Sequence, residues 1–571
     1  MMSVNAKVAS LLYEIAEILT IKGDRFRSRA YQMAAQRVTA LTEDIETVKG
    51  RDELEKIPGV GTSIAATISE FLETGDSTVL RELKESLPKG VPEMIELEGV
   101  GPKLAMRLNV ELGIISIDSL EEAAKQHKIR ELKGFGPKKE ENILKAIEEY
   151  RSRSGRFLLG EVLPIIQGIL QYMGESKAVR LVEVAGSARR RKETVGDLDV
   201  LVSSLDPEVV TKRFVNMPPV ARILAQGPTK STIVLENRLQ VDLRVIPPES
   251  YGAALQYFTG SKEHNVKLRT IGVREGFKLN EYGLFRRDTD ELVVAEDEAK
   301  IYAALGMDWM PPELRENTGE IEAAMEHTLP VLVEYSEVQG DLHVHSEWSD
   351  GKVPIEMMVD KAEEMGLKYI AICDHTKSLA IANGLDEKRL LTQIEEIHEI
   401  DENHPEIRVL AGTECDILKD GTLDIDDKVL ESLDWVVASI HSGFKMEVEE
   451  ITDRFVTAIH NSNVRAIGHP TGRLIQRRSP YSVDLDTLFQ EASEQGVYME
   501  INCYPDRLDL SDVNSRRAKE MGVCMTLGSD AHSPSEMEFL PLGVSVARRG
   551  WLEKRDVINC RKIEDVMKKR C

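Results

Sequence analysis

Residues 181–203 read LVEVAGSARRRKETVGDLDVLVS, and this stretch decides the fold of the middle of the chain. An apolar run ends at Gly186-Ser187, a basic turn or short helix follows, and a second apolar run begins at Asp197. Because successive side chains of a strand point to opposite faces, Asp197 and Asp199 share one face. Two carboxylates placed in this way repel each other unless a cation lies between them. The stretch therefore predicts a strand–turn–strand unit with a cation site at the start of its second strand.

A third carboxylate comes from residues 239–245, which read LQVDLRV and alternate as a strand does. Three oxygens from Asp197, Asp199 and Asp242 suit two divalent ions of the magnesium type, which can bridge nucleotide phosphates and activate an oxygen nucleophile. A lone Asp-x-Asp is usually a solvated strand end. The Gly-Ser turn at this offset, followed by a basic turn, favours a nucleotidyltransferase signature instead.

The first third of the chain contains three related glycine turns. They read IPGVGTSIA at 57–65, LEGVGPKLA at 97–105 and LKGFGPKK at 132–139, and the flanking segments have helical periodicity. Glycine lets the backbone approach a ligand, and the N–H groups that open the next helix can hold a phosphate without reading sequence. One copy could be an ordinary turn between helices. Three copies resemble helix-hairpin-helix motifs, and this resemblance gives the expected DNA contacts as Gly59, Gly61, Gly99, Gly101, Gly134 and Gly136.

Residues 1–315 resemble the family X DNA polymerases, the group of DNA polymerase beta. The resemblance rests on GSARR at 186–190, GDLDV at 196–200, YFTGS at 257–261 and NEY at 280–282, all in family order. It implies that Asp197, Asp199 and Asp242 hold two catalytic Mg²⁺ or Mn²⁺ ions and that Asp242 helps to deprotonate the primer 3′-hydroxyl. It also implies contacts to the incoming nucleotide or the nascent base pair from Gly186, Ser187, Arg190, Gly196, Tyr257, Phe258, Gly260, Asn265 and Arg269.

Two positions depart from the family pattern. Thr67 stands where the lyase members carry a Schiff-base lysine, and Ser63 and Ala66 nearby offer no amine. We therefore expect deoxyribose-phosphate lyase activity to be weak or absent. Gln240 stands where an arginine precedes the third aspartate in the animal enzyme, which leaves the hydrogen bonding of Asp242 open.

The last part of the chain repeats a short apolar strand, a metal-ligand type of residue at its end, and a helical segment. The first example is GDLHVHS at 340–346, in which His343 and His345 share a strand face and can bind one ion. A single histidine of this kind is usually structural. Repetition at seven strand ends favours a β/α barrel, whose sites gather at the carboxyl ends of the strands. His398, His404 and His460 lie in helices or loops and are expected at the surface.

This array resembles the PHP (polymerase and histidinol phosphatase) domain, and the resemblance implies a seven-stranded β/α barrel. The resemblance implies a trinuclear Mn²⁺ or Zn²⁺ centre, with iron also compatible with the mixed N/O ligands. It implies 3′–5′ exonuclease activity on DNA, with 3′-phosphatase and abasic-site endonuclease activities as further possibilities. The nine ligand positions are His343, His345, Asp350, His375, Glu414, His441, His469, Asp530 and His532.

Composition sets the remaining expectations. The 571 residues are 30% charged and 42% hydrophobic, and no apolar run approaches the length of a membrane span. Residues 316–571 carry 28 Lys and Arg against 50 Asp and Glu. The first half is near neutral, which leaves room for a nucleic-acid partner. The six cysteines form no CxxC pattern and the N-terminus has no secretory pattern, so we expect a reducing cytoplasm. The family resemblance implies in addition a prokaryotic, nucleoid-associated protein that acts as a monomer.

The order of the two resemblances predicts a prokaryotic gap-filling repair polymerase joined to an end-cleaning nuclease, acting on gapped or primer-template DNA and dNTPs. One alternative is a template-independent nucleotidyltransferase fused to a small-molecule phosphatase, which has no need of three glycine hairpins. Another is a DNA scaffold with decayed sites, which the complete ligand sets disfavour. The expected domains are 1–90 (helical, DNA-binding), 91–150 (fingers-type, two further hairpins), 151–247 (α+β palm), 248–315 (thumb), 316–337 (linker) and 338–571 (PHP barrel).

Overall fold

The structure, a computed structural model, describes residues 24–39, 59–74, 77–85, 87–95, 99–132, 135–153, 155–218 and 220–568, with isolated positions before residue 98. The chain divides into two compact units, Met1–Ser154 and Gly155–Cys571. None of the described helices is both long and apolar enough to cross a bilayer.

The N-terminal unit is helical where it is described. Each of its three glycine turns contains the same type of backbone hydrogen bond. These bonds run from Val60 N to Ile57 O, from Val100 N to Leu97 O, and from Phe135 N to Leu132 O. A helix follows each turn directly, which supports the sequence repeat. Its described helices are α1 (Arg25–Thr39), α2 (Thr62–Thr74), α3 (Thr78–Glu85), α4 (Val91–Ile95), α5 (Pro102–Leu112), α6 (Ile117–Lys125) and α7 (Pro137–Arg153).

The palm is a five-stranded sheet in the order β2-β4-β7-β6-β5, with β4 and β7 parallel. Along β4, Leu198, Val200 and Val202 are buried while Asp197 is exposed, so the alternation in the sequence sets which face meets the core. The elements are β1 (Phe157–Leu158), α8 (Leu159–Gly174), β2 (Leu181–Val184), α9 (Gly186–Arg189), β3 (Thr194–Val195), β4 (Asp197–Ser203), α10 (Pro207–Val215), β5 (Val220–Gln226), β6 (Lys230–Leu235) and β7 (Gln240–Ile246).

The thumb packs three helices against a three-stranded antiparallel sheet, and a buried ion pair joins Arg315 to Glu298 at 2.6 Å. The linker segment 316–337, called the bridge below, joins the thumb to the barrel and contains one further helix. These elements are α11 (Tyr251–Thr259), α12 (Lys262–Arg274), β8 (Phe277–Asn280), β9 (Gly283–Arg286), β10 (Leu292–Val294), α13 (Glu298–Ala304) and α14 (Glu320–Met325).

The C-terminal part is a seven-stranded parallel barrel, with β11 to β17 adjacent in chain order. The ring closes where Asp530 N donates to His343 O and His345 N donates to Ala531 O. The elements are β11 (Gly340–Val344), α15 (Ile355–Glu364), β12 (Tyr369–Ile372), α16 (Glu387–Asn403), β13 (Arg408–Asp416), α17 (Asp427–Leu430), β14 (Trp435–Ser439), α18 (Val448–Ile459), β15 (Ala466–Ile467), α19 (Leu485–Gln495), β16 (Tyr498–Asn502), α20 (Asp512–Glu520), β17 (Met525–Gly528), α21 (Leu540–Arg549) and α22 (Ile563–Val566).

The palm and the barrel share one continuous apolar core. A Cβ built on Gly160 of α8 would lie 2.8 Å from Pro505 and 3.1 Å from Leu542, both in the barrel domain. The helical first unit, the palm and thumb, and the seven-stranded barrel confirm the fold class expected from the sequence. Among the described residues, four cysteines are free and buried: Cys373, Cys415, Cys503 and Cys560.

Two candidate metal centres

The three palm carboxylates come from the parallel strands β4 and β7, where Asp199 lies directly opposite Asp242 in the register. The Gly-Ser turn approaches them closely. A Cβ on Gly186, whose φ is +61°, would lie 2.9 Å from Oδ2 of Asp199. Glycine is therefore required at this turn for two reasons, the positive φ and the neighbouring carboxylate.

Asp242 is held by two side chains. The Thr232 hydroxyl donates to its Oδ1 at 2.5 Å, and the Gln240 amide donates to its Oδ2 at 2.8 Å. Gln240 thus supplies a neutral donor at the position where the animal enzyme has arginine. Thr232 has no counterpart in the sequence motif, because the contact depends on the pairing of β6 with β7.

Burial and repulsion from Asp197 and Asp242 raise the pKa of Asp199 to about 6. A metal-free site therefore disfavours the third negative charge at neutral pH, and a divalent cation relieves that cost. The donor set of three carboxylates fits hard cations such as Mg²⁺ or Mn²⁺.

Asp199→Asn is expected to stabilise the metal-free protein at pH 7.5. The folded-state pKa of Asp199 is raised, so its carboxyl group contributes stability at low pH that is lost as the pH rises toward about 6. Removing the charge should recover about 1–3 kcal/mol, measured by urea unfolding in EDTA, less near pH 4. Asp206→Asn, an exposed carboxylate just after β4, is the control and should change nothing. A destabilised Asp199→Asn protein at pH 7.5 would contradict the assignment.

Arg190, which follows the short helix α9 of the Gly-Ser turn, lines a cleft of about 290 Å³. Gly260 is close to Arg190 there, since a Cβ on Gly260 would lie 3.0 Å from an Nη1 atom. Ser187 belongs to α9, and Gly196 directly precedes β4. Six of the residues expected to contact nucleotide line this cleft, together with Lys262, which sequence reasoning did not single out: Arg190, Tyr257, Phe258, Gly260, Asn265 and Arg269.

The nine barrel residues gather at the carboxyl ends of the strands, as the repeated pattern indicates. Three groups have ligand atoms within 4.8 Å of one another: His345, Asp350, His375 and His532; His343, His345 and Asp530; and His375, Glu414 and His441. His469 joins them through a 2.8 Å contact between its Nε2 and Glu414. The expectation of ligands at seven strand ends is wrong by one strand, because β16 carries none of the nine.

Buried ligand-type atoms without hydrogen bonds show that this cluster suits cations. Nε2 of His343, Nε2 of His345 and Oε2 of Glu414 are buried and form no hydrogen bond with the described residues. Each lies within 3.5 Å of an imidazole nitrogen or a carboxylate oxygen of the same cluster. Burial and repulsion from His532 and His375 lower the pKa of His345 to about 3, so its ring is neutral and can offer a nitrogen to a metal. Mixed imidazole and carboxylate donors fit Mn²⁺, Zn²⁺ or Fe²⁺.

Two carboxylates that sequence reasoning missed orient the histidines. Glu500 of β16 contacts Nδ1 of His343 at 2.6 Å and accepts from the backbone N of His469 at 2.7 Å. Asp416 contacts Nδ1 of His441 at 3.0 Å. Such partners fix the ring orientation and leave Nε2 facing the metal. A charged residue inside the apolar run of β16 was the available signal for Glu500.

A second cleft, of about 360 Å³, opens onto the barrel cluster. Arg507 and Lys352 line it together with the ligands Asp350, Asp530 and His532. Nε of Arg507 lies 3.3 Å from Oδ2 of Asp530. The cleft thus places two cationic side chains beside the cluster, but Asp506 and Glu536 also line it and Lys352 pairs with Glu536 at 3.1 Å. An anionic substrate there depends on the charge of bound cations as well as on these two side chains.

In the N-terminal unit, Gly59 and Gly99 adopt φ of +93° and +80° at the hairpin turns. Among the described residues, no heavy atom beyond the chain neighbours lies within 4 Å of a Cβ built on Gly61, Gly99 or Gly136, so these turns leave room for a close ligand. Gly101 caps α5. Gly134 lies outside the described residues.

Thr67 of α2 is buried, and its hydroxyl donates to Ser63 O at 3.1 Å. No amine is available from this side chain, so borohydride reduction with a 5′-deoxyribose-phosphate DNA end is expected to trap no covalent adduct above background. A family member that carries the lysine serves as the positive control in the same gel assay. A strong adduct with this chain would show that another amine performs the chemistry.

Four family models match the chain: a helix-hairpin-helix domain at 3–77, a SAM-like helix-hairpin-helix tandem at 91–149, the DNA polymerase beta thumb at 254–316 and the PHP domain at 341–503. The chain is 37% identical over 562 residues to the DNA polymerase/3′-5′ exonuclease PolX of Bacillus subtilis (strain 168), covering 98% of both chains. It is 26% identical over 301 residues to DNA polymerase lambda of Rattus norvegicus, covering 49% of each. It is also 34% identical over 142 residues to a probable phosphatase of Caldanaerobacter subterraneus, covering 22% of this chain and 51% of the relative.

Proposed function

Because this chain belongs to the PolX family of DNA polymerases with a C-terminal PHP domain, we propose that it fills gaps in damaged duplex DNA and trims 3′ ends at a second centre. It is accordingly a DNA polymerase and a 3′–5′ exonuclease that depends on divalent metal. The observation that supports the proposal is that two separate groups of side chains of metal-ligand type lie in one chain. One lies on β4 and β7 of the palm, and the other lies at the mouth of the barrel.

At the palm, Asp197, Asp199 and Asp242 hold Mg²⁺ or Mn²⁺, which supplies Lewis acidity at the nucleotide phosphates when bound. Arg190 presents a planar fork of donors to the triphosphate, which suits paired phosphate oxygens. Tyr257 and Phe258 pack against the sugar of the incoming nucleotide. Gln240 and Thr232 keep Asp242 oriented toward the primer end.

At the barrel, the nine ligands hold Mn²⁺ or Zn²⁺, which supplies Lewis acidity and activates water when bound. Glu500 and Asp416 fix the rings of His343 and His441. Arg507 and Lys352 stabilise the negative charge of the phosphate that is cleaved. The neutral ring of His345 remains a ligand throughout.

A second activity of the barrel, removal of a 3′-phosphate, is supported by the likeness to a probable phosphatase. The cleft with Arg507 and Lys352 can accept a terminal phosphate as well as a diester. We include cleavage at abasic sites in the proposal because it uses the same attack on a phosphodiester. These activities, together with the glycine hairpins, describe a protein that prepares and fills DNA gaps as a monomer in the cytoplasm.

The test is a gapped duplex with a 5′-phosphate at the gap, incubated with Mn²⁺ in the presence and absence of dNTPs. Template-directed extension with dNTPs and shortening of the primer without them are expected. Parallel substrates with a 3′-phosphate or an abasic site examine the further barrel activities. Incorporation that ignores the template base would favour a template-independent transferase, and equal binding of gapped and intact duplex would argue against the gap-filling role.

A further inference from the structure

We propose that the PHP domain positions the triphosphate-binding side of the polymerase cleft through Arg549, which holds the backbone and side chain of Arg190. The inference rests on the proposed function, since it assigns Arg190 to the incoming nucleotide. Arg549 lies 359 positions from Arg190, at the end of α21 in the barrel domain. It is a positioning residue, because it does not line the cleft.

The connection consists of three hydrogen bonds. Arg549 Nη1 donates to Arg190 O at 2.7 Å and to Glu316 Oε1 at 3.0 Å. The same Glu316 oxygen accepts from Nε of Arg190 at 3.0 Å. One carboxylate therefore lies between the two guanidinium groups, and Arg549 restrains Arg190 both directly and through Glu316.

Arg549 itself is firmly anchored. Its side chain is only 6% exposed, and its Nε and Nη2 lie 2.9 Å and 2.7 Å from Oδ2 of Asp512. Burial opposes ionisation of Asp512, but Arg549 holds the pKa of its carboxyl below its usual range. A buried arginine between two carboxylates has little freedom to move, because any displacement would leave a charge unpaired.

The hydrogen bonds that the Arg190 side chain makes within the protein leave some of its N–H donors unused. Nε binds Glu316 and Nη1 donates to Thr259 O at 2.6 Å. Arginine has five N–H donors, and among the described residues these two groups are the hydrogen-bond partners of the Arg190 side chain. The remaining donors are available to the cleft that Arg190 lines.

A second contact with the barrel domain holds the other end of the turn formed by residues 190–193. Nη2 of Arg473, in the barrel domain, donates to Glu193 at 2.8 Å, and Nε of Arg473 donates to Arg507 O at 2.9 Å. Residues 190–193 are thus attached to the barrel at both ends. This arrangement makes the barrel part of the support for nucleotide binding.

The test measures binding of a fluorescent dATP analogue to protein with gapped duplex, a dideoxy-terminated primer and Mg²⁺. Arg549→Gln is expected to weaken binding by about fivefold to twentyfold, because misaligned charged hydrogen bonds lose part of their contribution. The KM for dATP in extension assays should rise by a similar factor with a smaller change in kcat. Nuclease activity without dNTPs should stay within about twofold of the unaltered chain.

Arg548→Gln is the matched control, since Arg548 is the preceding residue, is equally buried and pairs with Glu313 and Glu334 without reaching Arg190. Arg549→Lys, which keeps the charge, guards against a folding defect in Arg549→Gln. In an Arg190→Gln background, Arg549→Gln should have no further effect on nucleotide binding. Unchanged binding in Arg549→Gln, an equal loss in Arg548→Gln, or additive losses in the double variant would each overturn the proposal. Failure of gap filling with nucleotide binding intact would instead refute the proposed function alone.

Discussion

Asp197→Ala combined with Asp199→Ala abolishes dNTP incorporation and leaves 3′ degradation intact: this is the result we expect from two separate centres. The double change removes two of the three carboxylates that we propose as ligands of the palm cations. A metal site contributes several kcal/mol to a phosphoryl-transfer transition state, so the rate should fall by at least about a thousandfold. Primer extension on gapped DNA measures the loss, and degradation of the same primer without dNTPs measures what is retained.

The control for this experiment is Asp206→Ala, which removes an exposed carboxylate beyond the end of β4. It should retain both activities. If the double variant loses exonuclease activity while its circular dichroism and melting temperature stay normal, the two centres are not independent.

His343→Ala should produce the opposite result. His343 is 1% exposed, its Nε2 lies 3.5 Å from Oε2 of Glu414, and its Nδ1 is fixed by Glu500. Losing one of the nine ligands should lower bound metal and reduce 3′–5′ exonuclease activity by at least about a hundredfold, with extension unchanged. Elemental analysis of the purified protein, alongside both activity assays, checks the result.

His460→Ala is the matched control for His343→Ala. His460 is half-exposed and pairs with Glu491 at the surface, away from the metal cluster. It should keep the metal content and both activities. Exonuclease activity that survives His343→Ala at full strength would show that the barrel cluster is not the nuclease centre.

The carboxylate and histidine sets could be predicted because their patterns are local. Asp197 and Asp199 are two residues apart on a strand, so alternation alone places them on one face. The barrel ligands follow short apolar strands, and the carboxyl ends of parallel strands meet at one edge. The glycine turns could be predicted for the same reason, since each turn and the start of the helix after it lie within nine residues.

What could not be predicted depends on contacts between distant segments. Thr232 reaches Asp242 only because β6 pairs with β7 in one register. Glu500 is recognisable as an odd charge in an apolar strand, but its partner His343 lies 157 positions away. The Arg549–Glu316–Arg190 connection joins the end of a barrel helix, the bridge and a palm turn, and no periodicity in any of them indicates the others.

The apolar core that runs from the palm into the barrel couples the folding stability of the polymerase half to that of the nuclease half. Because Gly160 packs against Pro505 and Leu542, neither half can unfold without exposing apolar surface of the other. Residues 155–568 should therefore unfold in one cooperative thermal transition. A mutation that destabilises the barrel should lower the melting temperature of the polymerase half as well. A chain cut between the halves would leave two fragments that expose apolar surface and aggregate, rather than two independently folded enzymes.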